Sequence, residues 1–119
     1  MLSRLLAVST LVIVLASCAT TNQNTPIGDW SGTLSFPGAS LRLIFHITES
    51  DNGYSTTIES VDQGNSMIPA DMIIDGDSIT FIVESLNVEY VATISGNQIV
   101  GEFTQFGNSM SDFTITRNE

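Results

Sequence analysis

The chain has 119 residues, with thirteen aspartates and glutamates against three arginines and no lysine, a formal net charge of −10. So acidic a surface repels phosphate backbones and anionic lipid headgroups, which argues against nucleic acid as a partner and against adhesion of the domain surface to a membrane. A single cysteine excludes a disulfide within the monomer, and one cysteine with one histidine falls short of a zinc ligand set.

The first element is a leader. Arg4 precedes a largely apolar run over residues 5–16, too short for a spanning helix of about 20 residues and laid out as a secretory signal. The run closes on Leu15-Ala16-Ser17-Cys18, which resembles the lipobox of bacterial lipoproteins. That resemblance implies removal of residues 1–17 and lipidation of Cys18, so that the membrane is reached through a lipid anchor. Ala19 in the next position implies the outer membrane of a bacterial cell envelope. One acyl chain holds a membrane only marginally, whereas the several chains of the lipoprotein pattern anchor durably. Ordinary secretion, with Cys18 a free thiol, is the alternative. Residues 18–27 are mostly polar, lack periodicity and include Pro26, and read as a flexible tether. The mature chain keeps Arg42 and Arg117 against thirteen acids, about eleven net negative charges. Its roughly one hundred residues suffice for one domain.

From Gly28 the pattern alternates with period two, and no window holds helical spacing for long. Residues 30–36 form the first predicted strand, with Trp30, Gly32, Leu34 and Phe36 on one face, and Pro37-Gly38 turns the chain. In the second, Leu41, Leu43, Phe45 and Ile47 alternate with Arg42, Ile44, His46 and Thr48. Asp51-Asn52-Gly53 is a hairpin signal, because Asn and Gly tolerate positive φ. Residues 54–61 follow, with Tyr54, Thr56 and Ile58 facing one way. Residues 62–70 hold Gly64 and Pro69 and alternate little, so this region yields only a short strand at 72–74. Asp75-Gly76-Asp77 turns into Ile79, Phe81 and Val83, and the sixth strand carries Val88, Tyr90, Ala92 and Ile94. Ser95-Gly96-Asn97 leads to Ile99, Gly101 and Phe103, and Gly107-Asn108 to a last strand with Phe113 and Ile115 inward. Gly-Asn-Ser-Met, at 64–67 and again at 107–110, reads as two loops with similar turn needs. About eight strands joined by hairpins predict an all-β domain over residues 28–117, an up-and-down antiparallel meander closed as a small barrel. A β-sandwich of the same strands is the alternative.

Several stretches carry a family resemblance. They are Gly28-Asp29-Trp30-Ser31-Gly32-Thr33-Leu34, Leu41-Arg42-Leu43-Ile44-Phe45-His46-Ile47, Asp62-Gln63-Gly64, Ile68-Pro69 and Gly101-Glu102-Phe103-Thr104-Gln105. In order and spacing they resemble the small N-terminal β domain of bacterial α/β-hydrolases of the serine-peptidase-like kind. The chain has no Gly-x-Ser-x-Gly nucleophile elbow, so no activity follows from the likeness. What it implies is an accessory or binding module without the catalytic domain. Gly28-Asp29-Trp30 is also similar to the start of the first strand in lipocalins, which implies a carrier of a small hydrophobic ligand.

The residues themselves point away from catalysis. His46 sits opposite Leu43 and Phe45 in its strand and is expected at the surface. Asp75 and Asp77 share a tight turn, where aspartate serves local hydrogen bonds, and Glu84 and Glu89 flank another. Calcium has Asp71, Asp75 and Asp77 but no twelve-residue ligand loop, so no cofactor and no metal are expected. Three non-catalytic readings remain. An eight-stranded barrel is filled by side chains or holds one small ligand. The bulky inward set, led by Trp30, Phe45, Phe81 and Phe103, argues for filling, with Trp30, Tyr54 and Tyr90 expected at the mouth of any pocket. Alternatively Ile82, Val91 and Val100 face outward on neighbouring strands, Ile82 across from Val91, as an apolar strip for a protein partner. The third reading is a structural envelope lipoprotein with no specific ligand.

Overall fold

Alternating apolar and polar residues give each strand a core face and a solvent face, and the computed structural model, which describes residues 25–51 and 53–118, closes them into a barrel. Cys18 and residues 1–24 lie outside the described residues. The strands are β1 (Gly28–Phe36), β2 (Ala39–Ser50), β3 (Gly53–Ser60), β4 (Ser66–Asp75), β5 (Ser78–Val83), β6 (Val88–Ser95), β7 (Gln98–Gln105) and β8 (Asn108–Arg117). Each pairs antiparallel with the next, and β1 pairs with β8, so the fold is the expected all-β meander and not a sandwich.

This topology gives the barrel two distinct ends. Chain entry at residues 25–27, the connections after β2, β4 and β6, and the C-terminal Asn118 share one end, called here the tether end. The connections after β1, β3, β5 and β7 share the other, the distal end. Two of the distal connections are 3-10 turns, Val61–Gln63 and Glu84–Leu86. The other two are two-residue hairpins, Pro37-Gly38 and Phe106-Gly107. Phe106 and Gly107 both have positive φ, 51° and 81°, the pattern of the hairpin turns whose twist matches the strands. The repeated Gly-Asn-Ser-Met meets the same need out of register: the left-handed pair is Gly64-Asn65 in one copy and Phe106-Gly107 in the other.

The core is layered along the barrel. Trp30, Ile47, Ile79, Ile94, Ile99 and Ile115 are buried toward the tether end, and an aromatic layer crosses the middle. There Phe45 meets Phe81 edge-on at 5.0 Å, Tyr90 lies 5.1 Å from Phe113, and Phe103 meets Phe113 edge-on at 5.5 Å. Such pairs add about 0.5–1.5 kcal/mol each beyond area burial. Tyr90 is fully buried, and its hydroxyl donates toward the carbonyls of Ile99 (3.0 Å) and Phe113 (2.7 Å).

Strand β4 departs from the expectation of a short strand at 72–74. It runs from Ser66 to Asp75, pairing Ser66–Ala70 with β3 and Asp71–Asp75 with β5. Its first half thus has a ladder neighbour on one side only, and a strand with a free side tolerates Pro69. Alternation survives there as Ile68, Ala70 and Met72, half-buried against the core, which is why the stretch read as irregular. Strand β8 holds a bulge: Gly101 faces Phe113 but Phe103 faces Met110, leaving one extra residue in β8. Asp112 takes a φ of 61° at that point. The bulge turns both Phe113 and Met110 inward although they are three apart, and it bends β8.

Candidate ligand site

The tether end is sealed. The Trp30 indole N–H donates to the carbonyl of Pro26 (2.9 Å), and the Arg117 guanidinium lies over the Trp30 ring at 4.3 Å. Arg117 uses the rest of its donor fork on the carbonyls of Ile27 (2.7 Å) and Thr25 (2.9 Å) and on Asn97 Oδ1 (3.0 Å). A planar cation with several donors suits this position, stacking on the ring and clamping the incoming chain together. Residues 25–27, read from sequence as the end of the tether, are therefore held against the barrel.

The distal end is open. Pairing between β1 and β8 covers only Trp30 with Arg117 and Ser31 with Thr116. At Gly32 the strands still touch, since a Cβ there would lie 2.5 Å from the Thr114 carbonyl oxygen. Beyond it the bent β8 leaves β1. Two cavities lie at this end, and of these only the second is lined by β8. One is a cup of about 350 Å³ inside the distal mouth, floored by Leu43, Ile58 and Phe103 and walled by Ile68, Val83 and Val88. The other, about 380 Å³, lies along the β1–β8 seam between Phe36, Pro37, Phe106 and Met110. Phe36, Phe103 and Gln105 line both, so the two adjoin.

The rim is fixed by hydrogen bonds between neutral groups. Buried Ser60 donates to Gln63 Oε1 (2.7 Å), holding the first 3-10 turn at the mouth. Gln105 Nε2 donates to the Leu86 carbonyl (3.2 Å) and the Phe106 N–H to the Asn87 carbonyl (3.3 Å), tying the second 3-10 turn to the β7–β8 hairpin. Phe106 itself is 67% exposed at the hairpin tip.

A separate polar cluster lies on the outer wall of β1–β3. His46 Nδ1 is 2.8 Å from Asp29 Oδ1 and Nε2 is 2.9 Å from Glu59 Oε1, while Asn65 donates to the other oxygen of Glu59. Partial burial works against the imidazolium, but the hydrogen bonds to Glu59 and Asp29 and their charges outweigh it and raise His46 above the ordinary 6.5. The same bond from His46, with that from Asn65, holds the Glu59 carboxyl below its usual value. Nearby, Arg42 grips Asp62 through its guanidinium (2.6 Å) and its backbone N–H (2.9 Å), which lowers Asp62. Both nitrogens of His46 are thus engaged, and the cluster pins three strands. No group of three or more His, Cys, Asp or Glu side chains suited to a metal occurs among the described residues.

The residues expected at a pocket mouth are elsewhere. Trp30 is buried in the sealed end, Tyr90 is buried in the aromatic layer with its hydroxyl already bonded, and Tyr54, half-buried, pairs with Glu49 beside the β2–β3 turn at the tether end. None lines the cup, because Trp30 and Tyr54 lie toward the tether end and Tyr90 in the middle layer. The outer strip is also arranged differently. The β5–β6 connection pairs Val83 with Val88, so Ile82 lies across from Glu89 and only diagonal to Val91. Val91 (49% exposed) faces Glu102 and stands diagonal to Val100 (36%), so carboxylates interleave with the apolar residues. Of the cup residues, Gln63, Ile68 and Gln105 entered the sequence reading only within the stretches of family resemblance, and neither they nor Leu86 were read as lining a site. The usable signal was the meander: inward residues nearest the connections after odd-numbered strands must share one rim.

Comparison with protein-family models, with curated proteins and with solved structures found no match to the chain. The eight-stranded antiparallel barrel is therefore characterised by its own geometry.

Proposed function

We propose that this chain is a non-catalytic binding module of the bacterial cell envelope, anchored through Cys18, whose barrel holds a small apolar molecule in the distal cup. The observation that carries the reading is the cup: about 350 Å³, walled by aliphatic and aromatic side chains, with Ser60, Gln63 and Gln105 as its polar atoms. That volume falls in the lower part of the roughly 300–1,000 Å³ usual for small-molecule sites, which are likewise apolar with a few placed polar groups. Chain entry at the opposite, sealed end accords with this, because the segment that leads from Cys18 joins the barrel away from the mouth. The sequence likenesses, to a hydrolase-associated β domain and to the first strand of lipocalins, both accord with binding. Engagement of both nitrogens of His46 in a strand-pinning cluster supports the non-catalytic part.

The test is a fluorescence titration of the purified protein with N-phenylnaphthylamine, an uncharged apolar probe. Saturable binding is expected, weakened by at least about tenfold in Val88→Phe and Ile58→Phe, whose larger side chains occupy the cup. Val91→Thr, on the outer wall, should bind as the parent does. Thermal melts accompany each variant to confirm folding. Equal binding by the folded, cup-filled variants would refute the site. Absence of any saturable binding would favour a structural envelope role.

A further inference from the structure

The lining of the two distal cavities has a chemical bias that bears on what they hold. The protein carries thirteen carboxylates, yet among the described residues no charged side chain lines either cavity. Their polar atoms are hydroxyls and amides: Ser60, Gln63 and Gln105 in the cup, with Ser35, Asn108 and Ser109 along the seam. The two arginines among the described residues are committed elsewhere. Arg117 is spent on the tether-end clamp, and Arg42 is held by Asp62 on the outer wall. The cavities share Phe36, Phe103 and Gln105 in their linings, so the two neighbouring spaces together offer an extended site, called here the trough.

Resting on the reading of the cup as a ligand site, we propose that the trough selects an uncharged, elongated amphiphile, such as a long-chain alcohol, ester or amide, and rejects the corresponding fatty acid. The hydrocarbon lies in the cup against Leu43, Ile58 and Val88, and the neutral head reaches Gln105 at the junction. A carboxylate there would lose water with no cation to replace it, inside a domain of about eleven net negative charges. A hydroxyl or carbonyl has partners already in place, because the amide of Gln105 offers one N–H besides that given to Leu86.

Displacement of N-phenylnaphthylamine from the purified protein by decanol and by decanoate, at neutral pH, separates the cases. The expected result is displacement by decanol, with decanoate weaker by at least about tenfold. Lowering the pH toward the fatty-acid carboxyl range should restore much of the loss as the ligand becomes neutral. Gln105→Lys supplies the missing cation at a rim position and should shift the preference toward decanoate. Equal or tighter binding of decanoate by the parent protein would overturn the selectivity while leaving the cup reading intact. If neither the probe nor decanol binds, the cup reading falls and this inference falls with it.

Discussion

His46 shows how one side chain ties three strands and gives the fold a pH dependence. Its ring lies between Asp29 on β1 and Glu59 on β3, and its proton is held more tightly in the folded state than in the unfolded chain. A raised pKa contributes stability that is complete below the unfolded value of about 6.5 and is lost as pH rises through the folded value. Glu59 and Asp62 are lowered, so their contributions are present at neutral pH and disappear as acid titrates them below their ordinary 4.5 and 3.8. The melting temperature should therefore fall by an amount on the order of a few degrees as pH rises above about 6.5, and His46→Gln should remove that slope. The same slope in His46→Gln as in the parent would show that the cluster is not its source. The sequence placed His46 on the outer face correctly, since alternation fixes the face of a strand residue. It gave no sign of the two carboxylate partners, because strand register decides who stands beside it: Asp29 is directly across and Glu59 is diagonal.

At the scale of elements, the barrel closes where glycine lets strands approach. A Cβ on Gly101 would lie 2.0 Å from the Val91 carbonyl oxygen and 2.4 Å from Ala92 Cα, both backbone atoms that cannot step aside. Gly101→Ala should cost on the order of 3 kcal/mol or more, measured by denaturant unfolding, because β6 and β7 must separate to admit one methyl group. A variant as stable as the parent would show that the corner relaxes freely. Strand identity was largely legible because β5 and β6 bury every second residue and β1, β2 and β7 turn an alternating apolar set inward. The first half of β4 was not, since Met67 and Pro69 face solvent and Ile68 and Ala70 are only half-buried. The bulge at Asp112 was equally silent. So was its consequence: a period-two reading placed Phe113 and Ile115 inward and left Met110 in a loop, whereas β8 begins at Asn108 and the extra residue brings Met110 in as well.

At the scale of the molecule, the same eight strands make a plug at one end and a trough at the other. Bulky residues gather at the tether end, where Trp30 and Arg117 lock the incoming chain, while Val83, Val88 and Ser60 thin the packing at the distal mouth. This gradient explains why the interior read from sequence as filled: Trp30, Phe45, Phe81 and Phe103, which lead the inward set, are all buried, and the space lies toward the distal mouth. Composition reports what fills a core but not where pairing stops. That information resides in the short β1–β8 seam and in the one-sided ladders of β4. The central claim, that a small apolar molecule occupies the distal cup and not the body of the barrel, is tested most directly by methyl-resolved NMR of the purified protein titrated with N-phenylnaphthylamine. Shifts should concentrate on Leu43, Ile58, Val83, Leu86 and Val88, with Ile79, Ile99 and Ile115 at the sealed end unmoved. Shifts centred on those three isoleucines, or on the outer residues Ile82, Val91 and Val100, would contradict it.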